Sequence, residues 1–191
     1  MTVPVAGVLL AAGSSSRFGA DKLLHRLPGG EVLAVRSARN LCAALPRSIA
    51  AVRDSRSELA SLLQAAGLTV VACDRAADGM GASLACGVAA GADAEGWVIA
   101  LADMPFVRPD TIAAVAAALA QGAPIAAPVH DGRRGHPVGF SRRFLNDLLA
   151  LSGDTGARRI VAAHADSTVL INCGDAGVLR DIDLPDDLDP V

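Results

Sequence analysis

The chain has 191 residues, 52% hydrophobic and 19% charged, with mean hydropathy +0.41. That composition excludes intrinsic disorder and suffices for one continuous core, so a single domain over residues 1–191 is expected. A formal charge of −3 and pI ≈ 5.7 give no basic footprint for nucleic acid and no polybasic run for an acidic membrane surface.

Taken in chain order, short apolar runs at 5–12, 48–53, 68–73, 97–102 and 124–129 are near-continuous, as in strands buried on both faces. Between them, 31–45, 56–66, 82–90 and 109–121 carry helical periodicity rich in Ala and Leu. Pro109 or Asp110 suits a helix start, and Gly67 and Gly122 suit helix ends. After residue 130 the pattern changes. DGRRGHPVGFS reads as a turn into a short strand, followed by helices near 141–150 and 156–165, a strand at 168–172, and DIDLPDDL at 181–188. Alternating strands and helices predict an α/β fold, three layers deep, with a mixed, mainly parallel sheet. Ligands in such sheets bind at the carboxyl ends of the strands, which draws attention to 13–22, 74–81, 103–108 and 130–139.

No run approaches the roughly 18 apolar residues of a membrane span, and the first residues lack the positive region of a signal peptide. A cytoplasmic protein is expected. Cys42, Cys73, Cys86 and Cys173 form no CxxC pair and read as small, buried, free thiols. His25, His130, His136 and His164 have no zinc-site spacing, and no GxSxG elbow is present.

Two loops carry the chemistry. The first strand runs into LAAGSSSRFGADK at 10–22, which matches neither GxGxxG nor GxxxxGK[ST]. It holds Lys22, the chain's only lysine against sixteen arginines. A compact ammonium there, with Arg17 and loop N–H groups, suits phosphate. The fourth strand ends in Ala102-Asp103-Met104-Pro105, placing a hard carboxylate where Mg²⁺ would bridge phosphates. Arg133, Arg134, Arg158 and Arg159 suit an acidic acceptor, and Trp97 reads as core.

LAAGSSSRFGADK resembles the LAAGxSxRxGxxK signature of nucleotidyltransferases with the nucleotide-diphospho-sugar transferase fold. GMGASL at 79–84, RGHPV at 134–138, GDTGAR at 153–158 and the DIDLPDDL ending resemble the branch containing molybdenum cofactor cytidylyltransferases. The resemblance implies nucleotide contacts from Leu10, Ala11, Ala12 and Gly13, triphosphate binding by Arg17 and Lys22, and base and ribose contacts from Asp74, Gly79, Gly81 and Ser83. It implies Mg²⁺ on Asp103, completed by Asp181 or Asp183, and an acceptor site with Arg134, His136, Asp154 and Arg158. The implied reaction moves CMP from CTP to the molybdenum cofactor, releasing pyrophosphate, for a molybdenum hydroxylase client. GTP, another small phosphorylated acceptor, or a carrier that turns over no nucleotide are the competing readings. Guanylyl-transferring relatives have glycine where this chain has Ala12, so its methyl is expected to narrow the slot against a purine.

Overall fold

The strands join into one sheet whose order places the first strand in the interior. The computed structural model describes residues 4–13, 22–183 and 187. Among these, the strands are β1 (Ala6–Leu10), β2 (Ser48–Val52), β3 (Thr69–Ala72), β4 (Gly96–Leu101), β5 (Ile125–His130), β6 (Arg133–Arg134), β7 (Val138–Ser141) and β8 (Thr168–Asn172). β3, β2, β1 and β4 run parallel in that order. β7 then inserts antiparallel between β4 and β5, β6 folds back on the end of β5, and β8 pairs parallel with β5. The sheet is mixed and mainly parallel, as the alternation predicts.

The helices are α1 (Leu33–Ala44), α2 (Glu58–Ala65), α3 (Met80–Ala90), α4 (Pro109–Ala120), α5 (Leu145–Leu149) and α6 (Arg158–Ala163). Side chains alternate across a strand, so each strand feeds two cores. Leu9, Ala50, Val52, Val98 and Ala100 pack under α1, α2 and α4. Ala6, Val8, Trp97, Ile99 and Phe140 pack under α3, α5 and α6, completing three layers. Trp97 is fully buried and its indole N–H donates to the Gly91 carbonyl at 2.9 Å, which removes the cost of burying that polar atom.

Local sequence sets the helix ends. The Ala60 N–H donates to Ser57 Oγ at the start of α2 (3.1 Å), with Glu58 beside the positive end of the helix dipole. Pro109 occupies the first turn of α4, and Gly67 and Gly122 take φ of +102° and +96° beyond α2 and α4.

Two expectations change. β3, expected to be buried on both faces, is an edge strand and partly exposed, because it has a neighbour on one side only; β8 is an edge strand as well. Cys73 and Cys86 are joined in a disulfide with Cα atoms 6.0 Å apart, and Cys42 and Cys173 are half-buried, not fully buried. Cys73 follows β3 and Cys86 lies on α3, and the helix packs back over that strand; a sequence separation of 13 hides this. Among the described residues, no helix is long and apolar enough to cross a membrane.

Candidate active site

Parallel register aligns the site. Leu10 pairs with Ala51 on one side and Leu101 on the other. Two residues further along each strand, Ala12 therefore lies between Arg53 and Asp103. The Ala102 N–H donates to the Leu10 carbonyl (3.1 Å) and the Ala11 N–H to the Ala51 carbonyl (2.9 Å), so the line is held beyond the strands themselves.

At one end of this line stands a charged trio. Lys22 Nζ donates to Asp103 Oδ2 at 2.9 Å and to Asp183 Oδ1 at 2.8 Å. The Lys22 side chain is 14% exposed, and Asp103 23%. Burial alone would lower the Lys22 pKa, but hydrogen bonds and charge attraction from Asp183 and Asp103 outweigh it and hold it above its ordinary 10.5. The ammonium stays charged throughout the neutral range. Asp103 and Asp183 lie 81 and 161 residues from Lys22, so only the fold unites the three. Two convergent carboxylates are a donor set that Mg²⁺ accepts, since it fills its remaining positions with water and phosphate oxygen. Among the described residues, no cluster of three or more metal-ligating side chains occurs.

Asp183 is delivered by a C-terminal strap. Asp175 is 3% exposed and accepts from Thr111 Oγ1 (2.6 Å) and the Arg108 N–H (2.9 Å), tying the strap to the start of α4. The His136 N–H donates to the Val178 carbonyl (2.9 Å), and the Ile182 N–H to the Asp103 carbonyl (2.9 Å). Asp175 was not singled out from the sequence, where nothing separates it from other loop aspartates.

Two adjoining cavities lie at this edge of the sheet, and Asp103 lines the first. The first, ≈ 310 Å³, is lined by Leu10, Ala12, Gly13, Arg53, Gly79, Ser83, Asp103 and Asp154 among others. The second, ≈ 380 Å³, is more apolar and includes Leu84, Ile99, Phe140, Arg134, His136 and Arg158. Leu10, Met80 and Leu101 line both. Gly79 closes the first cavity with φ +109°, and a Cβ there would lie 2.5 Å from the Gly153 carbonyl carbon. Backbone contact between 79–81 and 152–154, including Gly81 N–H to Gly153 carbonyl at 2.8 Å, packs two of the sequence motifs together.

The structure sorts the expected residues. Asp154, which the resemblance groups with Arg134, His136 and Arg158, lines the first cavity while those three line the second, because the 152–154 turn packs on Gly79. Ala11 and Gly81 are buried behind the lining, and Asp74 is exposed outside it. Ala12 lines the cavity but is 3% exposed and packs with Ala51, Cys73 and Ala76, which makes its methyl part of the floor. Arg17 lies outside the described residues. Arg53, not singled out from the sequence, lines the first cavity and donates from Nε to the Ala12 carbonyl at 2.7 Å.

His136 stands at the wall of the second cavity. A Cβ on the preceding Gly135 would fall 2.2 Å from the Val178 carbonyl oxygen, so glycine is needed for the strap to pass. His136 Nδ1 is buried without a hydrogen-bond partner among the described residues. Burial pushes its pKa below the usual 6.5; Arg134 acts in the same direction, and Asp103 and Asp181 oppose it. The ring is neutral at pH 7.

Comparison with known proteins agrees with this architecture. The model of the MobA-like NTP transferase domain matches residues 7–168. The chain belongs to that family. This MobA-like domain is 30% identical to the purine catabolism protein PucB of Bacillus subtilis (strain 168), covering 97% of the chain and 94% of PucB. Rv0371c of Mycobacterium tuberculosis H37Rv shares 29% identity at TM-score 0.80, covering 98% of this chain and 96% of that one. A complex of Rv0371c with manganese matches at 26% identity and TM-score 0.76, with 97% and 96% covered. The MobA-like domain is a nucleotidyltransferase.

Proposed function

We propose that this MobA-like nucleotidyltransferase is a cytoplasmic enzyme, its whole chain one catalytic domain, that transfers CMP from CTP to the molybdenum cofactor. The observation that carries this reading is the pair of adjoining cavities with Lys22, Asp103 and Asp183 at one of them. The first cavity takes the nucleotide, along Leu10, Ala12, Gly13, Gly79 and Ser83; Lys22 faces its triphosphate, to which the sequence motif also assigns Arg17. The second takes the acceptor, with Arg134 and Arg158 on its anionic groups and neutral His136 in its wall. A largely apolar cavity edged by two guanidinium groups fits a fused ring system bearing phosphate.

An acceptor phosphate oxygen attacks the α-phosphorus, the bond to the bridging oxygen of the β-phosphate breaks, and pyrophosphate leaves. No protein nucleophile is needed. Mg²⁺, held by Asp103 and Asp183, supplies charge neutralisation and polarises the phosphoryl oxygens when bound. Manganese on the Rv0371c relative supports a divalent cation in this family. Lys22 keeps its proton and adds a fixed positive charge where negative charge develops. Arg134, His136 and Arg158 orient the acceptor, and positioning provides most of the acceleration. The product, a cytosine dinucleotide form of the cofactor, would serve a molybdenum hydroxylase client.

The test is pyrophosphate release from CTP, GTP, UTP and ATP with Mg²⁺ and purified molybdenum cofactor. Release with CTP and cofactor together is expected. Release from GTP alone among the four would replace the nucleotide; cofactor binding without release would make the protein a carrier.

A further inference from the structure

Arg53 has no assigned role in the reaction, yet it occupies a defined place on the substrate edge of the sheet. It follows β2 as Asp103 follows β4, and the two flank Ala12 from opposite sides. Neighbouring strands lie about 4.8 Å apart, so these two positions are roughly 10 Å apart across the edge. With the metal-binding carboxylates and Lys22 at the Asp103 end, a nucleotide lying along Leu10 to Gly13 extends its base toward Arg53.

The side chain is already oriented. Its Nε is engaged by the Ala12 carbonyl at 2.7 Å, which fixes the plane of the guanidinium. Its two terminal nitrogens have no partner among the described residues. The nearby Asp54 pairs with Arg56 instead. Arg53 is the one cation among the described residues lining this cavity, and the wall around it is Ala76, Ala77 and Gly79, whose side chains offer neither donor nor acceptor. Ser83 Oγ is engaged with the Gly79 carbonyl at 3.5 Å. Among the described residues lining this cavity, Arg53 is therefore the side chain with N–H donors left to offer a base.

We propose that Arg53 reads the nucleobase, its terminal N–H groups donating side by side to a base edge that carries two neighbouring acceptors. Cytosine presents such an edge at O2 and N3, and guanine at O6 and N7. Uracil places N3–H between its carbonyls, and the amino group of adenine flanks N1 and N7. Each interposes a donor against the fork, so both are rejected. This inference rests on the nucleotidyltransferase reading and adds to it a specificity residue and the feature it selects.

Calorimetric titration of the full chain with Mg²⁺ and each of the four nucleoside triphosphates, repeated on Arg53→Lys and Arg53→Gln, tests it. Wild type should bind CTP or GTP about tenfold or more tightly than UTP and ATP, and which of the two prevails identifies the base. Both variants should lose that advantage while their UTP affinity stays within about twofold, and their melting temperatures should match wild type because Arg53 is exposed. Weakening of all four nucleotides alike would assign Arg53 only to holding the Ala12 backbone and overturn the proposal. So would a preference that survives in Arg53→Lys, or a wild type that binds all four equally. A wild type that binds no nucleotide would overturn the nucleotidyltransferase reading as well.

Discussion

The parallel and antiparallel sides of this sheet, which we propose hold nucleotide and acceptor, are built on different principles. On the parallel side, β3 to β4, register alone brings Arg53, Ala12 and Asp103 into line, and the Lys22–Asp103–Asp183 trio is held by direct charged hydrogen bonds. On the antiparallel side, β6 and β7 both pair with β5, and the segment from Arg134 to Val138 is held by the strap at Val178. One side fixes charges at strand ends. The other surrounds an apolar cavity with a few polar groups. Stabilising a developing phosphate charge requires preorganised dipoles that do not move, whereas recognising a ring system requires shape and a small number of contacts.

This contrast can be broken most sharply at Asp103. Asp103→Asn keeps the shape but removes the charge, and Mg²⁺-dependent turnover should fall by about 10³-fold or more, with metal-free nucleotide affinity changed little. Pyrophosphate release across a Mg²⁺ titration measures it; an unchanged metal dependence would move the metal away from this carboxylate. Lys22→Ala should lower kcat/KM by roughly 10²–10³-fold, about 3–4 kcal/mol of transition-state stabilisation, with the fold intact by thermal melting. Near-normal turnover would show that the trio is only structural.

Arg158→Ala sharpens the comparison from the opposite side. The KM for the acceptor should rise about tenfold while the KM for the nucleotide stays constant, because Arg158 lines only the second cavity. Steady-state kinetics varying each substrate in turn decides this, and parallel changes in both constants would merge the two cavities into one functional site.

The smallest effect concerns pH. Burial lowers the His136 pKa, so the unfolded chain takes up this proton near pH 6.5 and the folded chain only at lower pH. The folded state is therefore favoured above pH 6.5, and this contribution is lost as pH falls from 6.5 through the folded-state value. His136→Gln should flatten that part of the stability profile, read by denaturant midpoints between pH 7 and pH 5. An unchanged slope would place the acid sensitivity in other groups.

The local chemistry of this chain is legible without a structure. Apolar runs and helical periodicity locate the major elements to within a few residues, because buried parallel strands require unbroken apolar sequence and helix ends require residues such as Pro109 and Gly122. The loop at 10–22 and Asp103 stand out because each falls directly after a strand, where open α/β sheets bind their ligands. Tertiary structure alone decided which distant residues meet. The placing of Asp154 on the first cavity, the Asp175 anchor and the facing of Arg53 and Asp103 depend on packing between elements far apart in the chain, and the Cys73–Cys86 pairing on α3 packing back over β3. Periodicity records which face of an element is buried but not what it is buried against. That partner is set by sheet order and register, and these emerge only when the hydrophobic faces of all the elements are satisfied together.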